Sequence, residues 1–260
     1  QKELLDFQNT GMSVMELSHR SATFEAVHNG AIELLRKIYN IPENYEVLFL
    51  QGGASLQFTM IPMNFLSEGK TASYVQTGAW SEKAFKEAKF FGTPVEAAST
   101  KENKYKNIPS QEDIKFNADD AYVHITSNNT IFGTQWKVFP DTGDVPLVAD
   151  MSSDILSKPV DVSKFGIIYA GAQKNLGPSG VTVVIIRKDL LEKANTNIPT
   201  MLKYTTHADN NSLYNTPPTF GIYMLGEVLK WVEAQGGLEK VAQNNEEKAA
   251  LIYDVIDASN

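Results

Sequence analysis

Six short runs along the chain are apolar almost without interruption: Glu46–Leu50, Ala72–Val75, Ala121–Thr126, Pro146–Asp150, Gly166–Ala170 and Val181–Ile186. Continuous rather than alternating apolarity predicts strands that are covered on both faces. Between these runs the apolar residues recur at helical spacing. Phe24, Val27, Ala31, Leu34, Leu35 and Ile38 predict one helix. Phe58, Ile61 and Phe65 predict a second, with Pro62 expected to kink it, and Trp80, Ala84, Ala88 and Phe91 predict a third. The stretch from Phe220 to Ile256 reads as helix broken near Gly236-Gly237, and the opening QKELLDFQ as part of an amphipathic helix. Strands alternating with helices predict an α/β fold, with a mostly parallel sheet sandwiched by helices. In such sheets ligands collect at the carboxyl ends of the strands. The segment Asn195–Thr219, rich in Asn, Thr and Pro, reads as a long loop of the kind that carries function.

Composition narrows this picture by exclusion. The 260 residues are 42% hydrophobic and 21% charged, an ordinary globular balance sufficient for one large core. No apolar run is long enough to cross a bilayer, and no signal-peptide pattern opens the chain. The first residue is not Met, so further residues are expected before it. There is no cysteine, which excludes disulfides, thiolate catalysis and cysteine metal sites and fits a reducing cytoplasm. A formal charge of −8 with scattered Lys and Arg argues against nucleic acid and anionic membranes as partners. An anionic ligand would need a local cluster of donors.

Several motif matches fail. Gly69-Lys70-Thr71 resembles the end of a phosphate-binding loop, but Asn64 stands where the earlier glycine is required, so it reads as a turn. No GxGxxG is present. His19, His28, His124 and His207 show no metal-ligand spacing. The sequon matches at Asn128 and Asn210 read as chance.

Three features carry chemistry. Gly52-Gly53-Ala54-Ser55-Leu56-Gln57 follows the first strand and opens a helix. It is either a plain connecting turn or an anion site built from open helix N–H groups. Asp150 ends an apolar strand, either as a helix cap or as a carboxylate paired with a cationic heterocycle. Lys174 follows another apolar strand through Ala170-Gly171-Ala172, small residues that let a bulky group approach the backbone. Together these match the needs of pyridoxal phosphate (PLP): a lysine for its aldehyde, an acid for its ring nitrogen and donors for its phosphate.

With these residues in place, the chain resembles the phosphoserine aminotransferases, class-V enzymes of PLP fold type I. The resemblance runs over nearly the whole chain. Its pieces are Leu17-Ser18-His19-Arg20-Ser21, Gln51-Gly52-Gly53-Ala54-Ser55, Gly78-Ala79-Trp80-Ser81, Asn128-Asn129-Thr130-Ile131, Ala149-Asp150-Met151-Ser152-Ser153, Ala172-Gln173-Lys174-Asn175 and Tyr214-Asn215-Thr216-Pro217-Pro218-Thr219. The resemblance implies a sheet of the seven-stranded type. It implies that residues 1–260 are the cofactor-binding large domain, without the small C-terminal domain and the first segment that the family carries. Lys174 would bond the cofactor aldehyde and later shuttle a proton at the substrate α-carbon, and Asp150 would pair with the pyridinium nitrogen. Trp80 would stack on the ring and Thr130 would bind the ring hydroxyl. Ala54, Ser55 and Gln173 would hold the phosphate, joined by Asn215 and Thr216 from the other subunit of a homodimer. Arg20 would bind the substrate carboxylate. Trp80, Thr130 and Arg20 have ordinary readings beside these: a core aromatic, a turn residue and a surface ion pair.

The implied reaction moves an amino group from glutamate to 3-phosphohydroxypyruvate, giving O-phosphoserine and 2-oxoglutarate in serine biosynthesis. In many bacteria a phosphorylated hydroxythreonine on the route to PLP is handled too. A chain without the small domain is expected to keep the cofactor cradle and dimer surface with weak turnover or none. Other class-V aminotransferases or lyases would share Asp150 and Lys174. A desulfurase would need a catalytic cysteine.

Overall fold

The computed structural model describes residues 1–259. The chain builds β1 (Tyr45–Leu50), β2 (Thr71–Gln76), β3 (Thr93–Ser99), β4 (Val123–Thr126), β5 (Asn128–Asn129), β6 (Thr134–Gln135), β7 (Leu147–Asp150), β8 (Ile167–Gly171) and β9 (Thr182–Arg187). Its helices are α1 (Ala22–Tyr39), α2 (Gly53–Phe65), α3 (Ala79–Ala88), α4 (Lys188–Lys193), α5 (Tyr204–Asp209), α6 (Thr219–Ala234) and α7 (Gly237–Ala258). Seven strands form one sheet in the order β1-β9-β8-β7-β4-β2-β3, and β5-β6 make a separate two-stranded ribbon. Only β9 runs against its neighbours in the large sheet; all other pairs in it are parallel. The carboxyl ends of β1, β2, β4, β7 and β8 therefore meet at one edge.

The apolar strands are covered on both faces. One face sets Val47, Phe49, Ile125, Ile168 and Ile185 against Phe24 and Leu35 of α1 and Leu225 and Leu229 of α6. The opposite face sets Leu48, Tyr74, Val148, Tyr169 and Val184 against Phe58 and Ile61 of α2 and Ala84 of α3. Each fully buried side chain of this kind contributes roughly 1.5–3 kcal/mol. Helix α1 starts where the Ser21 hydroxyl accepts from the Phe24 N–H at 3.2 Å. It ends at Asn40 in the left-handed conformation (φ 49), with Arg36 and Lys37 in its last turn.

Three expectations change. The opening QKELLDFQ forms only a one-turn 3₁₀ helix at Lys2–Leu4; Phe7 is buried but Leu5 stays 83% exposed, so no helical apolar face develops. Edge strand β3 joins the sheet although its sequence TPVEAAS is half-exposed and carries Pro94 and Glu96. The Asn195–Thr219 segment contains α5 and a one-turn 3₁₀ helix at Thr200–Leu202, anchored by Tyr204, whose hydroxyl donates to Gln57 Oε1 at 2.6 Å. Residues 68 and 69 form the expected turn, with Gly69 at φ +83. Among the described residues no helix is long and apolar enough to cross a membrane.

Ile185 lies at the middle of β9, fully buried between β1 and β8. Ile185→Ala should lower the unfolding free energy by about 3 kcal/mol with little change in m-value, read from urea denaturation.

Candidate active site

At the shared edge of the sheet lies a cavity of about 210 Å³. Its wall is assembled from five chain segments: Gly53, Ala54, Ser55 and Phe58 of α2; Trp80 of α3; Thr126 and Asn128; Asp150, Ser152 and Ser153; and Gln173 with Lys174. A larger hollow of about 400 Å³, between Ile108 and Pro140, carries no carboxylate and no such convergence of strand ends.

The turn into α2 is fixed by glycine. Gly52 has φ +90, and a Cβ there would fall 2.5 Å from Leu56 Cδ2. The Gly52 carbonyl accepts the first helical bond from Leu56 N–H at 3.2 Å, and the N–H groups of Gly53, Ala54 and Ser55 meet no acceptor among the described residues. Three open donors at the positive end of a 13-residue helix make a site for an anion.

Asp150 is 5% exposed at the end of β7. Its Oδ1 accepts from the Ser152 N–H at 2.9 Å and the Ser152 hydroxyl at 2.6 Å. Burial pushes the carboxyl above the ordinary range, opposed by the Ser152 hydrogen bonds and by the charge of Lys174. Lys174 follows β8 on the neighbouring turn. Gly171 lets Gln173 fold back into the cavity, since a Cβ at 171 would lie 2.5 Å from Gln173 Oε1. Trp80 stands in the first turn of α3 with the Lys83 ammonium 4.3 Å from its ring centre. At Gly78, just before α3, the Asn129 side chain occupies the space a Cβ would take, 2.4 Å from Oδ1, and Asn129 Nδ2 donates to Thr77 Oγ1 at 2.8 Å. That contact seats the β5-β6 ribbon beside the cavity.

The structure brings six expected residues to this one cavity: Ala54, Ser55, Trp80, Asp150, Gln173 and Lys174. It places three elsewhere in the chain's own surroundings and leaves a fourth at its margin. Arg20 is exposed before α1, its Nε 3.4 Å from His19 Nε2. Asn215 lines a different hollow, with Gln51, Leu56 and His207, and the adjoining Thr216 carbonyl accepts from Gln51 Nε2 at 3.2 Å. Helix α2 contributes to both walls, Leu56 and Met60 to that hollow and Gly53, Ala54, Ser55 and Phe58 to the cavity. Thr130 heads the exposed turn between β5 and β6, outside the cavity wall, two residues beyond Asn128.

Sequence reasoning missed Thr126, Asn128, Ser152 and Ser153. Thr126 and Asp150 are register partners on adjacent strands, so their side chains share a face. Thr126 is 2% exposed and its hydroxyl has no partner in the protein; the buried Trp80 indole N–H has none either. Strand parity was the available signal, because both residues close apolar runs. Beneath this layer lies a polar column: His124 Nε2 and the Tyr169 hydroxyl are 2.8 Å apart, and the Tyr74 and Tyr122 hydroxyls 2.6 Å apart. Burial lowers His124 to about 3 and raises Tyr169 far above its ordinary value. An amine, a carboxylate, open helix donors and an aromatic face around one cavity can hold a flat, anionic, nitrogen-containing ring and move protons beside it.

The family model for class-V aminotransferases matches residues 1–260. The phosphoserine aminotransferase of Lysinibacillus sphaericus is 78% identical over the whole chain, which spans 72% of that relative. Two solved structures are close in shape. One records radiation damage of the Schiff base in a phosphoserine aminotransferase; it is 62% identical, with a TM-score of 0.98, and the match covers all of this chain and 72% of that one. The other is the PLP-bound phosphoserine aminotransferase of Trichomonas vaginalis, 42% identical with a TM-score of 0.92, covering 99% of this chain and 76% of that one.

The buried imidazole gives a pH signature. His124 takes up a proton near pH 6.5 when unfolded but only near pH 3 in place, so between these values the unfolded chain binds more protons. Stability should therefore fall on acidification through that window. His124→Phe, which cannot titrate, should lose about 2–3 kcal/mol less than wild type between pH 7 and pH 4.5, measured by urea midpoints. Asp150 and Asp154, both raised by burial, act in the opposite sense but equally in both proteins.

Proposed function

Because the chain belongs to the class-V aminotransferase family, and within it to the phosphoserine aminotransferases, we propose that it serves amino transfer between glutamate and 3-phosphohydroxypyruvate, giving O-phosphoserine and 2-oxoglutarate, through the cavity at Lys174. The family's cofactor is pyridoxal phosphate. The observation that carries the reading is the convergence of Lys174, Asp150 and the open N-terminus of α2 on that one cavity.

The residues present fit this group. Its phosphate needs donors, and Gly53, Ala54 and Ser55 offer N–H groups without acceptors. Its ring nitrogen needs an acid, and among the described residues Asp150 Oδ2 has no donor while Oδ1 has two. Its polar ring edge gives a partner to a buried hydroxyl that otherwise lacks one, Thr126. When bound, the cofactor draws electrons from the substrate α-carbon.

The chain's residues then divide the work. Lys174 Nζ would bond the cofactor aldehyde and, as a free amine, would move a proton at the substrate α-carbon. The Asp150 carboxylate would hold a proton on the ring nitrogen. Trp80 covers a ring face and keeps water out. Gln173 adds a side-chain donor beside Ala54 and Ser55. Thr130 reaches the ring hydroxyl only if its side chain turns inward from the exposed turn. Asn215 and Thr216, which do not line this cavity, would complete the phosphate site of a second copy in a homodimer. Arg20, exposed and free of carboxylate partners among the described residues, is available to a substrate carboxylate.

Borohydride added after pyridoxal phosphate should fix the cofactor to wild type at Lys174, seen as added mass on the peptide that contains it. Lys174→Ala should take up none, and labelling of that variant at the wild-type level would overturn the assignment. Asp150→Asn should still be labelled but exchange the α-proton of glutamate on the order of a hundredfold more slowly, as expected for loss of one preorganised charge in a dry site.

A further inference from the structure

The link between Asp150 and the strand that leads to Lys174 runs through one hydroxyl. Ser152 Oγ accepts from the Gly171 N–H at 3.1 Å and donates to Asp150 Oδ1 at 2.6 Å. A serine hydroxyl has one proton. One of its two lone pairs accepts from the β8 backbone, and its one proton is directed to the carboxylate oxygen 2.6 Å away. An ordinary turn needs less: an aspartate that accepts from the N–H two residues on closes such a turn without any hydroxyl. The bridge to β8 is the additional element. It ties the end of β7 to the end of β8, and three residues after Gly171 comes Lys174.

We infer that Ser152 is a positioning residue for the amino-transfer chemistry, clamping one oxygen of Asp150 to the backbone of β8 so that the other oxygen is left for the cofactor's ring nitrogen. The reference to the ring rests on the function proposed above; the clamp itself does not. Removing the hydroxyl strips the Gly171 N–H of its acceptor and the carboxylate of its shorter donor. Asp150 is already pushed toward its neutral form by burial, so losing a donor makes protonation easier still. The other groups that face it are Lys174 from the β8 turn, Asp154 from its own loop, and Tyr169 on β8, bonded to His124 on β4. None of these changes in the variants below.

Two readouts separate a positioning role from a merely structural one. In cofactor-free protein labelled with ¹³C at aspartate carboxyls, Ser152→Ala should raise the proton affinity of Asp150 roughly tenfold, the scale of one hydrogen bond to a charge. Ser152→Thr should titrate as wild type, and Ser152→Cys, with a weaker donor, should shift the same way by less. In protein loaded with pyridoxal phosphate, Ser152→Ala should bind the cofactor roughly tenfold more weakly, while in an Asp150→Asn background the same change should cost less than twofold. The inference is overturned if Asp150 titrates identically in wild type and Ser152→Ala, or if the loss of cofactor affinity persists in full without the Asp150 carboxylate. A shifted Asp150 titration in a protein that takes up no cofactor at all would support the clamp and sink the proposed function instead.

Discussion

A carboxylate buried under a ligand cavity is the constraint on which the rest of this structure turns. Leaving water costs an ion several kcal/mol even after relaxation, and Asp150 recovers that cost only from what its neighbours supply. Two donors come from Ser152 and one cation from Lys174. Each is delivered by a chain segment that leaves the same edge of the sheet. This is why the parallel order β8-β7-β4 matters chemically as well as topologically. A reversed strand at β7 or β8 would send its terminal residues to the opposite edge and leave the carboxylate without its partners.

The same economy governs the layer beneath. On the face shared by Asp150 and Thr126 the sheet carries His124, Tyr169, Tyr74 and Tyr122, polar rings in an otherwise apolar core. Pairing of His124 Nε2 with the Tyr169 hydroxyl and of the Tyr74 hydroxyl with that of Tyr122 lowers the cost of burying them. Two buried polar atoms of this face keep no partner among the described residues, His124 Nδ1 within the column and the Thr126 hydroxyl, and only Thr126 lies on the cavity wall.

Much of the fold was legible because the strands are buried on both faces and read as unbroken apolar runs. Strand β3 was not, since an edge strand has one ladder and a half-exposed face, and its Pro and Glu look like loop chemistry. The β5-β6 ribbon was too short to have a period. At the site, Lys174, Asp150 and the Gly52–Ser55 turn were readable because each ends a strand, and strand ends of a parallel sheet converge. Ser152 and Thr126 were not, because their roles depend on which strands are neighbours and in what register. Arg20, Asn215 and Thr216 entered through the family resemblance, and nothing within one copy of the chain draws them to the cavity.

The neutrality of the polar column has a consequence for the charge above it. Tyr169 is the register partner of Asp150, and His124 is bonded to Tyr169. A cationic imidazole at that depth would attract the Asp150 carboxylate strongly in so dry a surrounding and compete with any cationic ring in the cavity. Burial holds His124 neutral down to about pH 3 and keeps the Tyr169 phenol protonated. Among the described residues the cation that acts on the carboxylate is thus Lys174, on the cavity wall. Once that amine is engaged elsewhere, the strongest remaining claim on the free carboxylate oxygen belongs to whatever positive charge the ligand brings. The depressed imidazole and the clamped carboxylate are two parts of one arrangement that reserves a buried negative charge for the ligand.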